Sequence, residues 1–418
     1  MAWLACYRPA VAANTFGLRL LARPAVQLAV LVVLAAIALA FRGLQFWVLT
    51  GEIQWGYDFS FYWLAGRRLL EGESIYSAAQ LAGPYSPQGQ DGFLYPPPLA
   101  AVITPLSALF ETDYRPANWI WAGMGAAVLV VSILAIGRFE RLGARYPLLA
   151  GGRRWLLVAA AFAFPPVVGE LVMGNVHLLL LGLFAVAWPG LRRGDAQGEW
   201  RAGLAVGIAA VVKVFPGLLI VWFLASRRYR AAAGVVIGAL VVTIATLEFT
   251  GVEPWRQYPT VLANLSAPAD VTDTLAPTVW LAPVLGFEPA RWLIAAIGVA
   301  LVVIVGLRLR RDVPSQARPT TLAASFGAAV TVSILVAPAL YHHYLAILVL
   351  PLLLGLVAGV QVRWLALAYL LMWGGQQDAL GEWSWLVNRA LPTAGALVLL
   401  VALVVRVRPT RPGFEPRP

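Results

Sequence analysis

Leu31-Val32-Val33-Leu34-Ala35-Ala36-Ile37-Ala38-Leu39-Ala40-Phe41 is the centre of a hydrophobic run over residues 24–50. Tyr57-Asp58-Phe59-Ser60-Phe61-Tyr62-Trp63-Leu64-Ala65-Gly66-Arg67-Arg68-Leu69-Leu70 follows it. The first stretch has the length needed to cross a bilayer core, which takes roughly 20 apolar residues. The second places a carboxylate, Asp58, just beyond the end of that span, among aromatics, in a segment too polar and too long to be a simple connector.

The rest of the chain repeats the first pattern. It has 418 residues, of which 60% are hydrophobic and 12% charged, and its mean hydropathy is +0.76. Further spans are expected at 116–137, 154–170, 175–191, 231–250, 290–308, 320–337, 341–360, 363–376 and 389–406. Between 202 and 226 lie two half-length apolar pieces, broken at Lys213-Val214-Phe215-Pro216. They read as a broken helix or re-entrant hairpin, a form tolerated in a membrane only where the backbone is buried in protein or lines a cavity. The expected fold class is an all-α polytopic membrane protein with about twelve transmembrane helices, one pair half-length. Residues 1–23 carry Arg8, Arg19 and Arg23 and lead into a full-length span, which reads as no cleavable signal. The one cysteine, Cys6, excludes an intramolecular disulfide.

The net charge of +11 raises the question of nucleic acid, and the distribution of charge answers it. Most of the 31 basic residues cluster before the first span, at 138–154, 192–201, 227–230 and 308–318, at Arg363 and at 406–417. Placing those segments in the cytoplasm closes the alternation of spans, with both termini inside. Most of the 20 acids, Asp58, Glu73, Asp91, Glu170, Glu253, Asp270, Asp273, Asp378 and Glu382 among them, then face the opposite side. The excess charge is positive-inside bias at a plasma (inner) membrane, and no nucleic-acid partner is expected.

The same parity assigns 97–110, which is apolar but short and interrupted by Pro105, to the outer surface or to a dip into it. Residues 51–115 then form an extracytoplasmic loop. Surface helices are expected there, such as 58–71 with Phe61, Leu64, Ala65 and Leu69 on one face. Residues 1–418 read as a single membrane domain, with 407–418 a disordered cytoplasmic tail.

Polar groups at membrane depth are costly and default to function. Lys213 is the only lysine. It reads as a point charge for a lipid phosphate, or as a structural partner of an acid such as Glu170. His342 and His343 are vicinal and cannot both face one pocket on a helix; His343 is the preferred site residue, as a phosphate donor or acceptor-hydroxyl contact. Asn175 and His177 follow Glu170 at the start of a span and fit sugar hydroxyls, or a helix cap with a satisfied histidine. Asp58 fits an N-cap of a helix 59–71 as well as a catalytic carboxylate. Arg67 and Arg68 read as headgroup contacts or as a solvated face. Trp55, Trp63, Trp383 and Trp385 fit an interfacial belt or a sugar platform. There is no phosphate-binding glycine loop, no G-x-S-x-G elbow and no zinc motif. The outer loops hold no Asp-x-Asp pair; the nearest two aspartates, Asp270 and Asp273, have two residues between them, which weakens a metal-bridged nucleotide-sugar reading.

These residues occur in an order that resembles the GT-C superfamily of polytopic glycosyltransferases, and within it glycosyltransferase family 87, the bacterial polyprenyl-phosphate-mannose-dependent α-mannosyltransferases. Along nearly the whole chain the matching features are Asp58 after the first span, Ala65-Gly66, Leu69-Leu70-Glu71-Gly72 with Ile75-Tyr76, Tyr95-Pro96-Pro97 with Pro105 following, Gly174-Asn175-Val176-His177, Ala202-Gly203 leading to Lys213-Val214-Phe215-Pro216, Arg227-Arg228-Tyr229-Arg230, and Tyr341-His342-His343-Tyr344. The chain departs from the family in having Gly174-Asn175-Val176-His177 where Gly-Gln-x-Asn is usual, and Tyr341 where Trp is common. The resemblance implies a polyprenyl-phosphate sugar donor, a lipid or glycan acceptor, Asp58 as general base, and Lys213, His343, His342, Asn175, His177, Tyr95 and Arg67 as substrate contacts. It implies single displacement with inversion, and no cofactor or metal, because a lipid phosphate is already a good leaving group. Two other readings fit twelve helices with a buried lysine: a lipid or lipid-linked-sugar transporter or flippase, and a lipid-linked oligosaccharide polymerase or ligase.

Overall fold

The computed structural model describes residues 24–84, 92–266, 274–310, 318–374 and 384–407. Cys6, Asp91, Asp270, Asp273, Asp378, Glu382, Trp383 and the tail beyond 407 lie outside the described residues.

The described residues fold as helices without strands. The principal helices are α1 (Pro24–Thr50), α2 (Tyr57–Glu71), α3 (Pro97–Leu109), α4 (Tyr114–Phe139), α5 (Trp155–Ala163), α6 (Pro165–Met173), α7 (His177–Arg193), α8 (Ala196–Val212), α9 (Leu219–Ala225), α10 (Tyr229–Thr250), α11 (Glu253–Ser266), α12 (Phe287–Arg308), α13 (Arg318–Leu335), α14 (Val349–Ala358), α15 (Val362–Leu371) and α16 (Leu391–Arg406). Five segments are long and apolar enough to cross a bilayer: Ala25–Thr50, Tyr114–Phe139, Tyr229–Thr250, Phe287–Arg308 and Leu386–Arg406. The molecule is a multi-pass membrane protein.

The expectation of about twelve spans is not established by these helices. The count by length and composition is five, or six if the α5–α6 pair, bent by 64°, is one span. Several runs that are continuous in hydropathy are broken in backbone. Pro165 has no N–H to offer the Ala161 carbonyl, so α5 stops and α6 restarts at an angle. Residues 342–348 wind as a 3-10 turn before α14. The expected break at Lys213 is present: α8 ends at Val212, a 3-10 turn covers Phe215–Leu218, and α9 completes the pair. The first piece is longer than expected, because α8 begins at Ala196 and takes Arg201 into the helix.

Helices α8 and α10 meet through glycines four residues apart, Gly203 and Gly207 against Gly234 and Gly238. A Cβ at Gly203 would collide with the Ala231 carbonyl, and one at Gly207 with the Val235 carbonyl. Small residues at this spacing let backbones touch, the packing that replaces hydrophobic drive between membrane helices. This contact fixes the end of α8, and therefore Lys213.

The loop after α1 is helical and packed. Gly56 caps α2 in the left-handed conformation, at φ 70°, and its N–H donates to the Val172 carbonyl at 2.7 Å. Asp58 is therefore the second residue of α2 and not its N-cap. The buried face is Phe59, Tyr62, Ala65 and Gly66, rotated from the expected Phe61, Leu64, Ala65 and Leu69. The reason is a neighbour invisible to periodicity. Helix α3, 13 residues long, buries Leu99, Ala100, Ile103 and Ser107, and the Ser107 hydroxyl donates to the Trp63 carbonyl at 2.9 Å. At about 20 Å, α3 is too short to cross a hydrocarbon core of roughly 30 Å.

Candidate active site

The link between α6 and α7 is built from the sequence Glu170 to His177. Gly174 ends α6 in the left-handed conformation, at φ 71°, packed against Asn118 and Phe59. A helix start leaves backbone N–H groups without partners. Here the Glu170 carboxylate supplies one, with Oε1 accepting from the His177 N–H at 2.5 Å and Oε2 lying 3.1 Å from His177 Nδ1. The Asn175 side-chain oxygen accepts from Val176 N–H at 2.7 Å, which leaves its amide nitrogen to point outward.

That nitrogen donates to Asp58 Oδ2 at 2.6 Å. The same oxygen lies 3.0 Å from His343 Nε2, brought in by the 3-10 turn His342–Leu348. The Tyr95 hydroxyl donates to Asn175 Oδ1 at 3.1 Å. Lys213 Nζ donates to the Tyr95 oxygen at 3.3 Å, lies 3.1 Å from His177 Nε2, and sits 3.6 Å from the centroid of the Tyr344 ring. With His177 Nδ1–H directed at the Glu170 carboxylate, Nε2 is the acceptor for Lys213. One connected network thus runs from Glu170 through His177, Lys213, Tyr95 and Asn175 to Asp58 and His343.

Burial alone would raise the Asp58 carboxyl. The hydrogen bonds from His343 and Asn175, with the nearby Lys213 charge, outweigh it and hold the group below its ordinary value. Asp58 keeps 20% of its side chain accessible, and it lines a cavity of about 1430 Å³ together with Tyr95, Lys213, Tyr341 and His343. This is larger than an ordinary small-ligand pocket, which runs roughly 300–1,000 Å³. An ionised carboxylate held by two donors can take a proton from a hydroxyl. An ammonium ion on the same wall can meet developing negative charge.

Six of the eight expected site residues therefore converge: Asp58, Asn175, His177, Lys213, His343 and Tyr95. His342 lines the same cavity but turns away, with Nε2 3.1 Å from the Met372 carbonyl. Arg67 pairs with Glu71 at 2.7 Å along α2 and is not among the cavity-lining residues. Glu170, Tyr344 and Arg42 were outside the expected set. The signal for Glu170 and Arg42 was an acid and an arginine inside apolar runs; Tyr344 carried none beyond its place beside the histidines.

Helical and multi-pass, with a hydrogen-bonded carboxylate on a wide cavity, the chain is of the class of polytopic membrane proteins that carry a buried polar network. The sequence model of glycosyltransferase family 87 matches residues 93–338, and the chain belongs to that family. The match includes Tyr95, Asn175, His177 and Lys213, while Asp58 and the vicinal histidines lie outside it. An alpha-(1->3)-arabinofuranosyltransferase of Mycobacterium tuberculosis is 30% identical over 158 residues, covering 37% of this chain and 34% of that protein. A polyprenol-phosphate-mannose-dependent alpha-(1-2)-phosphatidylinositol mannoside mannosyltransferase of the same organism is 24% identical over 244 residues, covering 54% and 52%. The chain thus spans about half the length of these curated relatives, or less. No solved structure matches it. Family membership bears out the resemblance drawn from the motifs and does not favour the transporter or flippase reading.

Proposed function

We propose that the protein is a glycosyltransferase that moves a sugar, with mannose the first candidate, from a polyprenyl-phosphate donor to a hydroxyl of a lipid or glycan acceptor. The reaction takes place on the extracytoplasmic side of the plasma membrane, with both termini cytoplasmic. The segregation of arginines supports that orientation, and the name of the 24% identical relative supports the donor class. The observation that carries the reading is the Asp58 carboxylate, held by His343 and Asn175 on a cavity wall that also presents Lys213.

In this mechanism Asp58 takes the proton of the acceptor hydroxyl. The acceptor oxygen forms a bond to the anomeric carbon as the bond from that carbon to the phosphate oxygen breaks. The lipid phosphate leaves with the electron pair, and the configuration inverts. Lys213 stabilises the charge that develops on the phosphate, held in place by Tyr95, His177 and the Tyr344 ring. Tyr95, Asn175 and His177 are positioning groups for the two charges. Phosphate departs readily, so no metal is required by this route.

The test is transfer of label from radiolabelled polyprenyl-phosphate mannose to extracted membrane lipids by the purified protein, wild type beside Asp58→Asn. Label moved by wild type and not by Asp58→Asn supports donor, reaction and base together. Equal transfer by both removes Asp58 from the chemistry.

A further inference from the structure

Adjacent histidines on the wall of one cavity turn to different partners. A 3-10 turn has three residues per turn, so neighbours point about 120° apart. His343 turns to Asp58. His342 turns to the Met372 carbonyl, and beside it Arg42 of α1 faces the same cavity.

Arg42 lies eight residues before the end of a helix of 27 residues, about 12 Å along the axis from its last residue. With roughly 30 Å of hydrocarbon to cross, that position begins inside the apolar layer, where an arginine is costly without a partner. The protein meets only part of its need. Nε donates to the Ala163 carbonyl at 3.3 Å, an acceptor left by the break between α5 and α6, and Nη1 donates to Gln45 Oε1 at 2.5 Å. The guanidinium carbon stands 5.1 Å from the centroid of the Trp373 ring. Among the described residues no carboxylate pairs with Arg42, and Nη2 has no acceptor.

The surroundings indicate what would approach it. Among the described residues the flank of α1 is apolar and uncovered, with Val33, Leu34, Ile37, Phe41 and Leu44 exposed, and Phe41 and Leu49 continue into the cavity wall. A molecule with acyl or prenyl chains reaches Arg42 without leaving the bilayer. The planar fork of a guanidinium suits two oxygens of one phosphate.

We infer that the part of the cavity wall around Arg42 is a second anion subsite, in addition to Lys213, that binds the phosphate of a membrane lipid entering laterally past α1. It goes beyond the proposed transfer reaction, and its occupancy does not depend on that reaction taking place.

The test is native mass spectrometry of the detergent-solubilised full chain titrated with phosphatidylglycerol, with diacylglycerol as the phosphate-free probe. One phosphatidylglycerol is expected to stay bound to wild type and to Lys213→Gln, and to bind at least ~10-fold more weakly to Arg42→Gln. Arg42 also holds the Ala163 carbonyl, so Gln45→Glu supplies an independent variant. It leaves Arg42 in place and sets a carboxylate against Nη1 as an internal competitor for the phosphate; binding is expected to fall with the melting temperature kept. Equal retention by Arg42→Gln, undiminished binding by Gln45→Glu, or equal binding of diacylglycerol would each overturn the subsite. Displacement of the lipid by millimolar inorganic phosphate would overturn the lipid assignment in favour of a free anion. Because none of these readouts requires sugar transfer, their failure is distinguishable from failure of the transferase reading.

Discussion

His343 Nε2 lies 3.0 Å from Asp58 Oδ2, joining the 3-10 turn before α14 to the first turn of α2. The bond orients the carboxylate and leaves its other oxygen for a substrate proton. Asp58→Asn is expected to lower the rate of transfer by ~10²–10⁴-fold, the usual contribution of a positioned base. His343→Gln keeps a donor near the carboxylate and is expected to lose less. Initial rates at saturating donor decide this, and a His343→Gln enzyme slower than Asp58→Asn would reverse the two roles.

The pH dependence follows from the direction of the Asp58 shift. Its folded value lies below the ordinary 3.8, so the stability it contributes is present above the unfolded value and is lost as pH falls through the folded one. The melting temperature of wild type is expected to lose its Asp58-dependent part only below about pH 4, and Asp58→Asn to lack that part. Melting curves from pH 7 to pH 3 for both proteins measure it. An acid limb in the transfer rate above pH 5 would belong to a group other than Asp58.

Glu170 never touches the cavity, yet both of its oxygens hold His177, which in turn accepts from Lys213. Glu170→Gln keeps the shape and removes an acceptor for one of two donors, with an expected cost of about 1–3 kcal/mol in stability. Because Lys213 loses its alignment to the charge that develops on the phosphate, kcat is expected to fall more than KM for the donor rises. Thermal unfolding and a KM-against-kcat comparison test the two parts separately. A variant with lowered stability and unchanged kcat would make Glu170 structural only.

Lys213 is a compact charge between an aromatic face and two polar atoms, with the Tyr344 centroid at 3.6 Å. Lys213→Gln is expected to reduce kcat/KM by ~10²–10³-fold, the cost of losing one stabilising donor at a developing charge. Lys213→Arg is expected to rescue poorly, since a planar fork does not replace a point charge in that space. Full rescue by arginine would show that charge alone is sufficient.

The α8–α10 contact offers a test far from the chemistry. Gly207→Leu forces a side chain against the Val235 carbonyl, and a loss of about 1–3 kcal/mol is expected from overpacking. Gly123→Leu, where nothing lies within 4 Å, serves as the control and is expected to melt near wild type. Equal melting of the two variants would remove the glycine contact from the account of how Lys213 is placed.

Asp58, Asn175, Lys213 and His343 were legible as separate polar residues because each stands against an apolar background, and the order of motifs carried the family. Their common cavity was not legible, because contacts between α2, the α6–α7 link, the end of α8 and the 3-10 turn depend on packing. Arg67 illustrates the limit: an arginine on the same helix as Asp58 finds Glu71 one helical turn on. Arg42 illustrates the reverse, since a charge inside the first span was visible and its place in the cavity was not.

Run length and composition alone establish a helical membrane protein whose arginines cluster between its apolar runs. Run length, hydropathy and charge order are properties of the chain in one dimension. The tertiary structure alone decided which face of α2 is buried, where hydrophobic runs break into shorter helices, and which of two adjacent histidines meets Asp58. Those outcomes depend on neighbours brought together from distant segments, on glycine-mediated contact between α8 and α10, and on hydrogen bonds that pay the cost of holding polar groups away from water.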